Sequence, residues 1–504
     1  MLLVACLNLA AWAAYVRPLG RLYALSDGID RSFNVGMAAC TAAGNSPFEH
    51  TTYGLGSPEP LWNALIAGLA GFRPEAVTTV FHWLAPASLA LFAAAVYGGL
   101  RSGPAAEDRW ERVLTVFAAL DLSSLSMSGR APVAPFWTAN FLVKPNHGIG
   151  WGLIAFTAGV WARSAHPLPL TVALSALAWV ALPAWALTLA GLAVGWVLQP
   201  RGERRTRVLL TAAVVSAFVA LPYVLHLARD YAPLGANRSA RHMWNDPTGL
   251  AIALPEWATI DLGPLLTLGA LGAWCWARRR TARDHALLGL LLVAWAAWLV
   301  SLPAAVFGIA PEPDDLHYFL RFTMALAAGA GLAALARRAE TVAGLRAGQG
   351  HALALAACIP FSFFAHWDPP TMDRYYALSL PPIPDKVLEY GRWVRDNTPP
   401  AAIFVAGRAS GTWIPALAGR RLLLGPGKLQ PRDAAERKQA ERVLLTSEDA
   451  AAVRDAARRF GVGYVAVDSS LVEEYAADSF EALARSPAWR TVLANARVRI
   501  AALR

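Results

Sequence analysis

The chain has 504 residues, of which 56% are hydrophobic and 16% charged, with a net charge of +10 at neutral pH. Soluble domains carry about 25% charged residues. The deficit falls in the first three quarters, which excludes an all-soluble enzyme and points to a polytopic membrane protein with a soluble tail. The basic surplus does not form a nucleic-acid surface, because it lies in short links between apolar runs rather than on one face or arm. No metal or disulfide spacing is present: Cys6, Cys275 and Cys358 lie in apolar runs and Cys40 in a loop.

The first apolar run, Leu2 to Val16, lacks the basic start of a signal peptide and reads as a first span. A long loop, 18–75, follows. It opens on Ser26-Asp27-Gly28-Ile29-Asp30-Arg31, two carboxylates just beyond the apolar run. A carboxylate near an apolar surface can act as a general base; the plain reading is a solvated acid or a helix N-cap. Glu49 and His50 lie further along. Phe33, Met37 and Cys40 fall at helical spacing, so a short amphipathic helix is expected over Arg31–Ala43, ended by Gly44-Asn45-Ser46-Pro47. The run from Leu61 to Phe72 is apolar but too short to span, and reads as an interfacial or re-entrant helix.

Further spans are expected near 76–100, 110–127, 147–163, 168–182, 184–199, 208–228, 262–277, 286–303, 317–336 and 350–367, about eleven in all. The short pair around Leu182-Pro183 could be one broken hairpin. Arginines crowd alternate links: Arg101, Arg109 and Arg112; Arg201, Arg204, Arg205 and Arg207; Arg278, Arg279, Arg280 and Arg283; Arg337, Arg338 and Arg346. The positive-inside rule makes these links and the N-terminus cytoplasmic. The long, Lys/Arg-poor segments 18–75, 128–146, 229–261 and 304–316, and everything after Trp367, then face outward. Such structured loops on one side suggest a cavity opening there.

Charged groups gather where outer loops enter spans. Lys144-Pro145-Asn146-His147 could bind a phosphate at a helix start; a snorkelling Lys and an Asn146 cap are the plain alternative. His317 and Arg321 are four apart on one helix face, and Arg321 sits in apolar sequence where a charge costs roughly 2.5–3.5 kcal/mol at mid-bilayer. It needs an acidic partner such as Asp315 or Asp121, or serves as an anion site. Arg241 and His242, beside Trp244 and Asp246, suit a sugar or phosphate, or form an ordinary polar loop.

From about Tyr375 the pattern changes. A helix over Asp385–Asn397 stops at Pro399-Pro400; strands are expected at 402–406, 421–424 and 463–467, helices at 432–445, 447–460 and 471–484, and short terminal strands. This alternation describes a small α/β domain, 371–504, beside a transmembrane domain, 1–370. The sequence contains no Walker loop, no GxSxG and no HExxH.

The chain resembles the polytopic GT-C glycosyltransferases, which include protein mannosyltransferases, arabinosyltransferases and aminoarabinose transferases. The likeness rests on Asp27-Gly28-Ile29-Asp30 after a first span, the amphipathic helix and Gly44, Ser57-Pro58-Glu59-Pro60-Leu61-Trp62, and the outer tail with Trp393-Val394-Arg395-Asp396-Asn397-Thr398-Pro399-Pro400 followed by a strand and Gly419-Arg420-Arg421. It implies an integral protein of a bacterial inner membrane with its α/β tail periplasmic. It also implies a polyprenyl-phosphate-sugar donor, a lipid, glycan or protein acceptor, and inverting single displacement. Asp27 or Asp30 would be the base, Gly28 standing at the family's second acid. Lys144, His147, His317 and Arg321 would meet the leaving phosphate. Some relatives use a divalent metal; this sequence has no acidic cluster dense enough to require one. Two other readings stay open: a transporter or flippase of lipid-linked saccharides, and a non-enzymatic envelope scaffold.

Overall fold

The computed structural model describes residues 28–57, 59–101, 106–120, 122, 145–200, 202, 205–230, 262–306, 313–367, 384–425, 431–475, 483 and 485–504. The expected first span lies outside them. The chain divides into two compact units: Met1–Pro18, Leu84–Pro222 and Leu234–Arg374 form one, and Leu19–Trp83, Tyr223–Pro233 and Tyr375–Arg504 the other.

Two loop helices, α1 (Gly28–Ala42) and α2 (Pro60–Leu69), precede α3 (Pro74–Gly99), α4 (Ala106–Leu120), α5 (Pro145–Arg163), α6 (Pro167–Val180), α7 (Leu182–Leu198), α8 (Thr206–Asp230), α9 (Gly263–Arg279), α10 (Ala282–Val306), α11 (Pro313–Ala343) and α12 (Gln349–Trp367). Each apolar run expected between residues 76 and 367 falls on one of these helices, α3 to α12. Among the described residues, three helices are long and apolar enough to cross a membrane (Thr206–Asp230, Ala282–Ala304, Leu316–Ala343), or four if the bent pair in α3 counts as one span. The short α6 and α7 share Ala181 as C-cap and N-cap, the break expected near Pro183.

The helical unit is held at one end by arginines. Arg279 makes two bonds to Glu111, at 2.5 and 3.0 Å, and one to Asp284 at 3.1 Å; Arg283 reaches Asp284 at 3.3 Å and Glu111 at 3.5 Å, and Arg337 lies 4.0 Å from Glu111. Thr281 accepts from the Asp284 amide and donates to its carboxylate, capping α10 as the cluster forms. Three arginines also donate to carbonyls at helix C-termini. Arg163 serves Gly98, Gly99 and Arg101, Arg205 serves Trp161 and Ser164, and Arg283 serves Leu100. The four basic links of the sequence therefore meet at the same end of the bundle, as alternating helix direction requires.

Between helices, glycines let backbones touch, which suits packing where water supplies no hydrophobic drive. A Cβ on Gly289 of α10 would run into the Gly191 carbonyl and the Gly195 amide of α7, and one on Gly272 of α9 into the Ala327 carbonyl of α11. Gly289→Leu is expected to cost about 1–3 kcal/mol by overpacking. Thermal unfolding in detergent would show it as a lowered midpoint; an unchanged midpoint would mean that α7 and α10 separate freely.

In the second unit the tail forms α13 (Asp385–Asn397), β1 (Ile403–Ala406), α14 (Arg408–Ala418), β2 (Arg421–Leu422), α15 (Ala434–Thr446), α16 (Ala450–Phe460), β3 (Val462–Val467), α17 (Ser469–Tyr475), β4 (Trp489–Ala494) and β5 (Arg499–Leu503). The sheet order is β2-β1-β3-β5-β4. β1 pairs parallel with β2 and β3, while β5 runs antiparallel to β3 and β4. Alternation along β1 sends Ile403 and Val405 to a core with Leu444, Val453, Phe460 and Val465, while Phe404 stacks on Tyr464 at 4.9 Å. The helix α14 was not foreseen. Its Gly411 and Pro415 read as loop residues, but Pro415 and Ala416 press against Gly36 of α1, and Gly419 ends the helix at φ 65°.

The first loop is built into this unit. Thr52 bridges Leu422 in parallel, with Tyr53 N donating to Leu422 O at 2.8 Å and Leu422 N to Thr51 O at 2.8 Å. Arg421 meets Glu49 at 2.8 Å, and the Arg437 guanidinium donates to the Tyr53 and Leu423 carbonyls.

Candidate functional site

In the helical unit, the first turns of α11 carry His317 and Arg321, both 0% exposed. Their spacing of four puts them one turn apart on one face. One aromatic faces His317, and others pack against the far side of the same helix. Trp298 of α10 lies against the His317 ring at 5.8 Å. Trp151 of α5 stacks on Phe319 at 5.8 Å and meets Phe322 at 5.7 Å, and Phe92 of α3 meets the Phe322 edge at 5.9 Å. The Trp151 contact pins the start of α5 to the start of α11. One turn before Trp151 lies half-buried His147, and next to it Asn146, which is fully buried. Neither amide atom of Asn146 has a partner among the described residues. The plain alternative made Asn146 a helix cap, but the helix begins at Pro145, so Asn146 lies inside its first turn. Its full burial at a helix start is the signal that sequence alone did not carry.

Of the residues expected at the site, the structure brings together His317 and Arg321 and joins their helix to the one bearing His147. Asp30 falls in the first turn of α1, within the second unit, and its side chain lies outside the described set. Asp27, Lys144, Arg241, His242, Asp121 and Asp315 also lie outside it, the last by its side chain.

The second unit has its own polar cluster on the loop after α1. His226 of α8 lies 3.3 Å from the Phe48 carbonyl and 3.5 Å from the Asp230 carboxylate. It packs so closely on Gly56 that a Cβ there would enter its ring. Beside this contact Glu49 holds Arg421. His226 and Arg421 were not foreseen, because their partners Phe48 and Glu49 are more than 150 residues away in the chain. Among the described residues no three His, Cys, Asp or Glu side chains gather as a metal site.

His50 is buried, and its Nδ1 accepts from the Thr52 amide at 2.9 Å. Burial pulls its pKa down to about 3. The unfolded imidazole titrates near 6.5, so the unfolded chain binds the proton first. His50 therefore contributes stability above about pH 6.5 that is lost as pH falls towards 3. Thermal midpoints across this window should fall less steeply for His50→Asn than for the parent; parallel curves would show that His50 does not titrate on unfolding.

The apolar helices α3 to α12 and the mixed α/β tail have the fold expected from the GT-C resemblance, which solved oligosaccharyltransferase and ArnT structures share. The oligosaccharyltransferase of Archaeoglobus fulgidus, tethered to an acceptor peptide with the NVT sequon, matches with a TM-score of 0.57 at 14% identity, covering 97% of this chain and 71% of that one. The same archaeal enzyme, AglB, in complex with an inhibitory peptide and a dolichol-phosphate matches at 0.56 and 14%, covering 93% and 68%. Apo ArnT from Cupriavidus metallidurans matches at 0.53 and 14%, covering 99% and 97%. No family model and no curated protein sequence matches the chain.

Proposed function

We propose that this protein is a membrane glycosyltransferase that moves a sugar from a polyprenyl-phosphate donor to an acceptor at the outward face of the bilayer. The observation that carries the reading is the fully buried Arg321 at the start of α11, with His317 one turn before it against Trp298. A buried guanidinium on an apolar helix suits a ligand with an anionic head and a long apolar tail. Two observations support it: the fold shared with ArnT and AglB, and the dolichol-phosphate bound in one AglB structure.

In this mechanism Asp27 or Asp30 takes the proton from an acceptor hydroxyl or amine. The freed lone pair attacks the anomeric carbon from the face opposite the phosphate. The bond from that carbon to the phosphate oxygen breaks, the configuration inverts, and polyprenyl phosphate leaves with one more negative charge. Arg321, with His317, His147 and Lys144, stabilises that charge, as a preorganised donor set does for any developing oxyanion. Arg241 and His242 hold the sugar or phosphate from the outer loop.

The test is transfer from synthetic polyprenyl-phosphate sugars by the protein in nanodiscs. Arg321→Ala is expected to lower kcat/KM by about 10²–10³-fold, with Arg321→Lys recovering part. Full activity in a folded Arg321→Ala protein would remove the phosphate site. Lipid translocation with no transfer from any such donor would overturn the reading itself.

A further inference from the structure

In the helical unit, α9 and α12 both pack on α11, and an apolar groove of about 460 Å³ runs between the three helices. Pro264 and Leu268 line it from α9, Leu353 and Ala357 from α12, and Leu332 and Leu335 from α11. It opens sideways, because Leu335 is 48% and Leu353 60% exposed. Backbones meeting beneath it leave it hollow. A Cβ on Gly350 of α12 would strike the Ala336 carbonyl, and one on Gly331 of α11 the Leu268 carbonyl, so each neighbour seats on α11 at a glycine. Alanines at 336, 354 and 357 then leave the space above unfilled.

Both Gly350 and Cys358 line the groove, so it follows α12 for about 12 Å at 1.5 Å per residue. That is less than half of the ~30 Å hydrocarbon core, the depth of an acyl chain in one leaflet. The groove ends on Ala339 and Gly350, at the end of the bundle that carries the basic links. Exposed Arg338 stands there, one turn beyond Leu335. Exposed Arg346 lies in the turn from α11 to α12, which its amide fixes by donating to Gln349 Oε1 at 2.8 Å. Neither guanidinium has an ion pair among the described residues, whereas neighbouring Arg337 faces Glu111. The acid at this end, Glu340, is turned to the start of α12, where it accepts from the Gly348 and Gly350 amides at 2.8 and 2.9 Å. An apolar groove ending at two uncommitted cations complements an anionic lipid.

We propose that this groove is a binding site for an anionic phospholipid of the leaflet at the basic end, one acyl chain lying on α11 between α9 and α12 and the phosphate headgroup meeting Arg338 and Arg346. The ligand is distinct from the sugar donor proposed above. Arg338 follows Arg321 by 17 residues on the same helix, about 25 Å along its axis, so the two phosphates would sit at opposite faces of the hydrocarbon layer. A chain in the groove would fill the gap between α9 and α12, which are joined there only through α11.

The experiment reconstitutes the full chain in phosphatidylethanolamine nanodiscs containing a trace of phosphatidylglycerol with a diazirine on its acyl chain. Illumination fixes the probe, and peptide mass spectrometry maps it. Label is expected on the peptides carrying Leu335 and Leu353, displaced about tenfold more effectively by unlabelled phosphatidylglycerol than by further phosphatidylethanolamine. Joint replacement Arg338→Gln and Arg346→Gln, both at exposed positions, should lower the label about tenfold. Ala357→Trp fills the hollow, keeps both cations and should lower it too. Equal displacement by the two lipids would overturn the proposal, since the groove would then hold ordinary boundary lipid. Displacement by polyprenyl phosphate but not by phosphatidylglycerol would overturn it in favour of the donor tail. Absence of label from both peptides would overturn it as well. The displacement comparison needs no variant, and no readout depends on sugar transfer, so the test stands apart from the function proposed above.

Discussion

Replacing Asp27 with Asn is expected to lower sugar transfer by about 10²–10⁴-fold, the usual contribution of a general base, while the protein stays folded and monodisperse. The expectation rests on the resemblance, in which Asp27 stands at the family's first acid and Gly28 at its second. Asp27 directly precedes the first residue of α1, Gly28, whereas Asp30 lies inside the first turn. Both positions feel the helix dipole, so their order follows the resemblance, with Asp27 as the first choice of base and Asp30 as its rival. Asp30→Asn should therefore cost less than tenfold. The reverse order would transfer the role to Asp30, and full activity in the double variant would remove the base from this loop altogether. The pH profile of kcat/KM separates a base from a structural acid: only loss of the base abolishes the acid limb.

The largest effect on stability is expected at Glu111→Ala. Glu111 is 7% exposed and is shared by Arg279, Arg283 and Arg337. Removing one partner of a buried ion pair costs about 3–5 kcal/mol, because charge is left behind out of water. The change should be largest at this residue, since one carboxylate ties α4 to α9, α10 and α11 together. Glu111→Gln should recover only part, because an amide accepts a hydrogen bond from Arg279 but brings no charge. A detergent melting curve unchanged by Glu111→Ala would show that the arginine cluster is held by Asp284 and the helix carbonyls alone.

Much of this fold was legible in the chain. The helix Asp385–Asn397 was expected at its observed limits because Val387, Tyr390 and Val394 repeat at helical spacing and Pro399-Pro400 forbids continuation. The apolar runs found their helices for the same reason: length and hydropathy are local quantities. What stayed hidden was what touches what. Strand β1 announces itself by its apolar run, but nothing in that run says that β3 is its neighbour or that Thr52 will join the edge at Leu422. Helix α14 is seated on α1, about 380 residues earlier, at Gly36, and a local window reads only Gly411 and Pro415. At the candidate site, the four-residue spacing placed His317 and Arg321 on one face; the Trp298 contact and the aromatics packed behind the helix needed α3, α5 and α10 in place. The burial of Asn146 was equally out of reach, since burial belongs to the surroundings of a residue.

The pairing of Thr52 with Leu422 has a consequence for biosynthesis. Strand edges meet there that leave the ribosome far apart in time: at roughly 5–20 residues per second, tens of seconds separate them. Through that interval the loop after α1 has no Arg421, no Arg437 and no β2 to hold it. The chain must therefore insert nearly all its helices before its first loop can mature. A nascent chain arrested shortly before residue 421 should show that loop open to protease, and one released at residue 504 should show it closed.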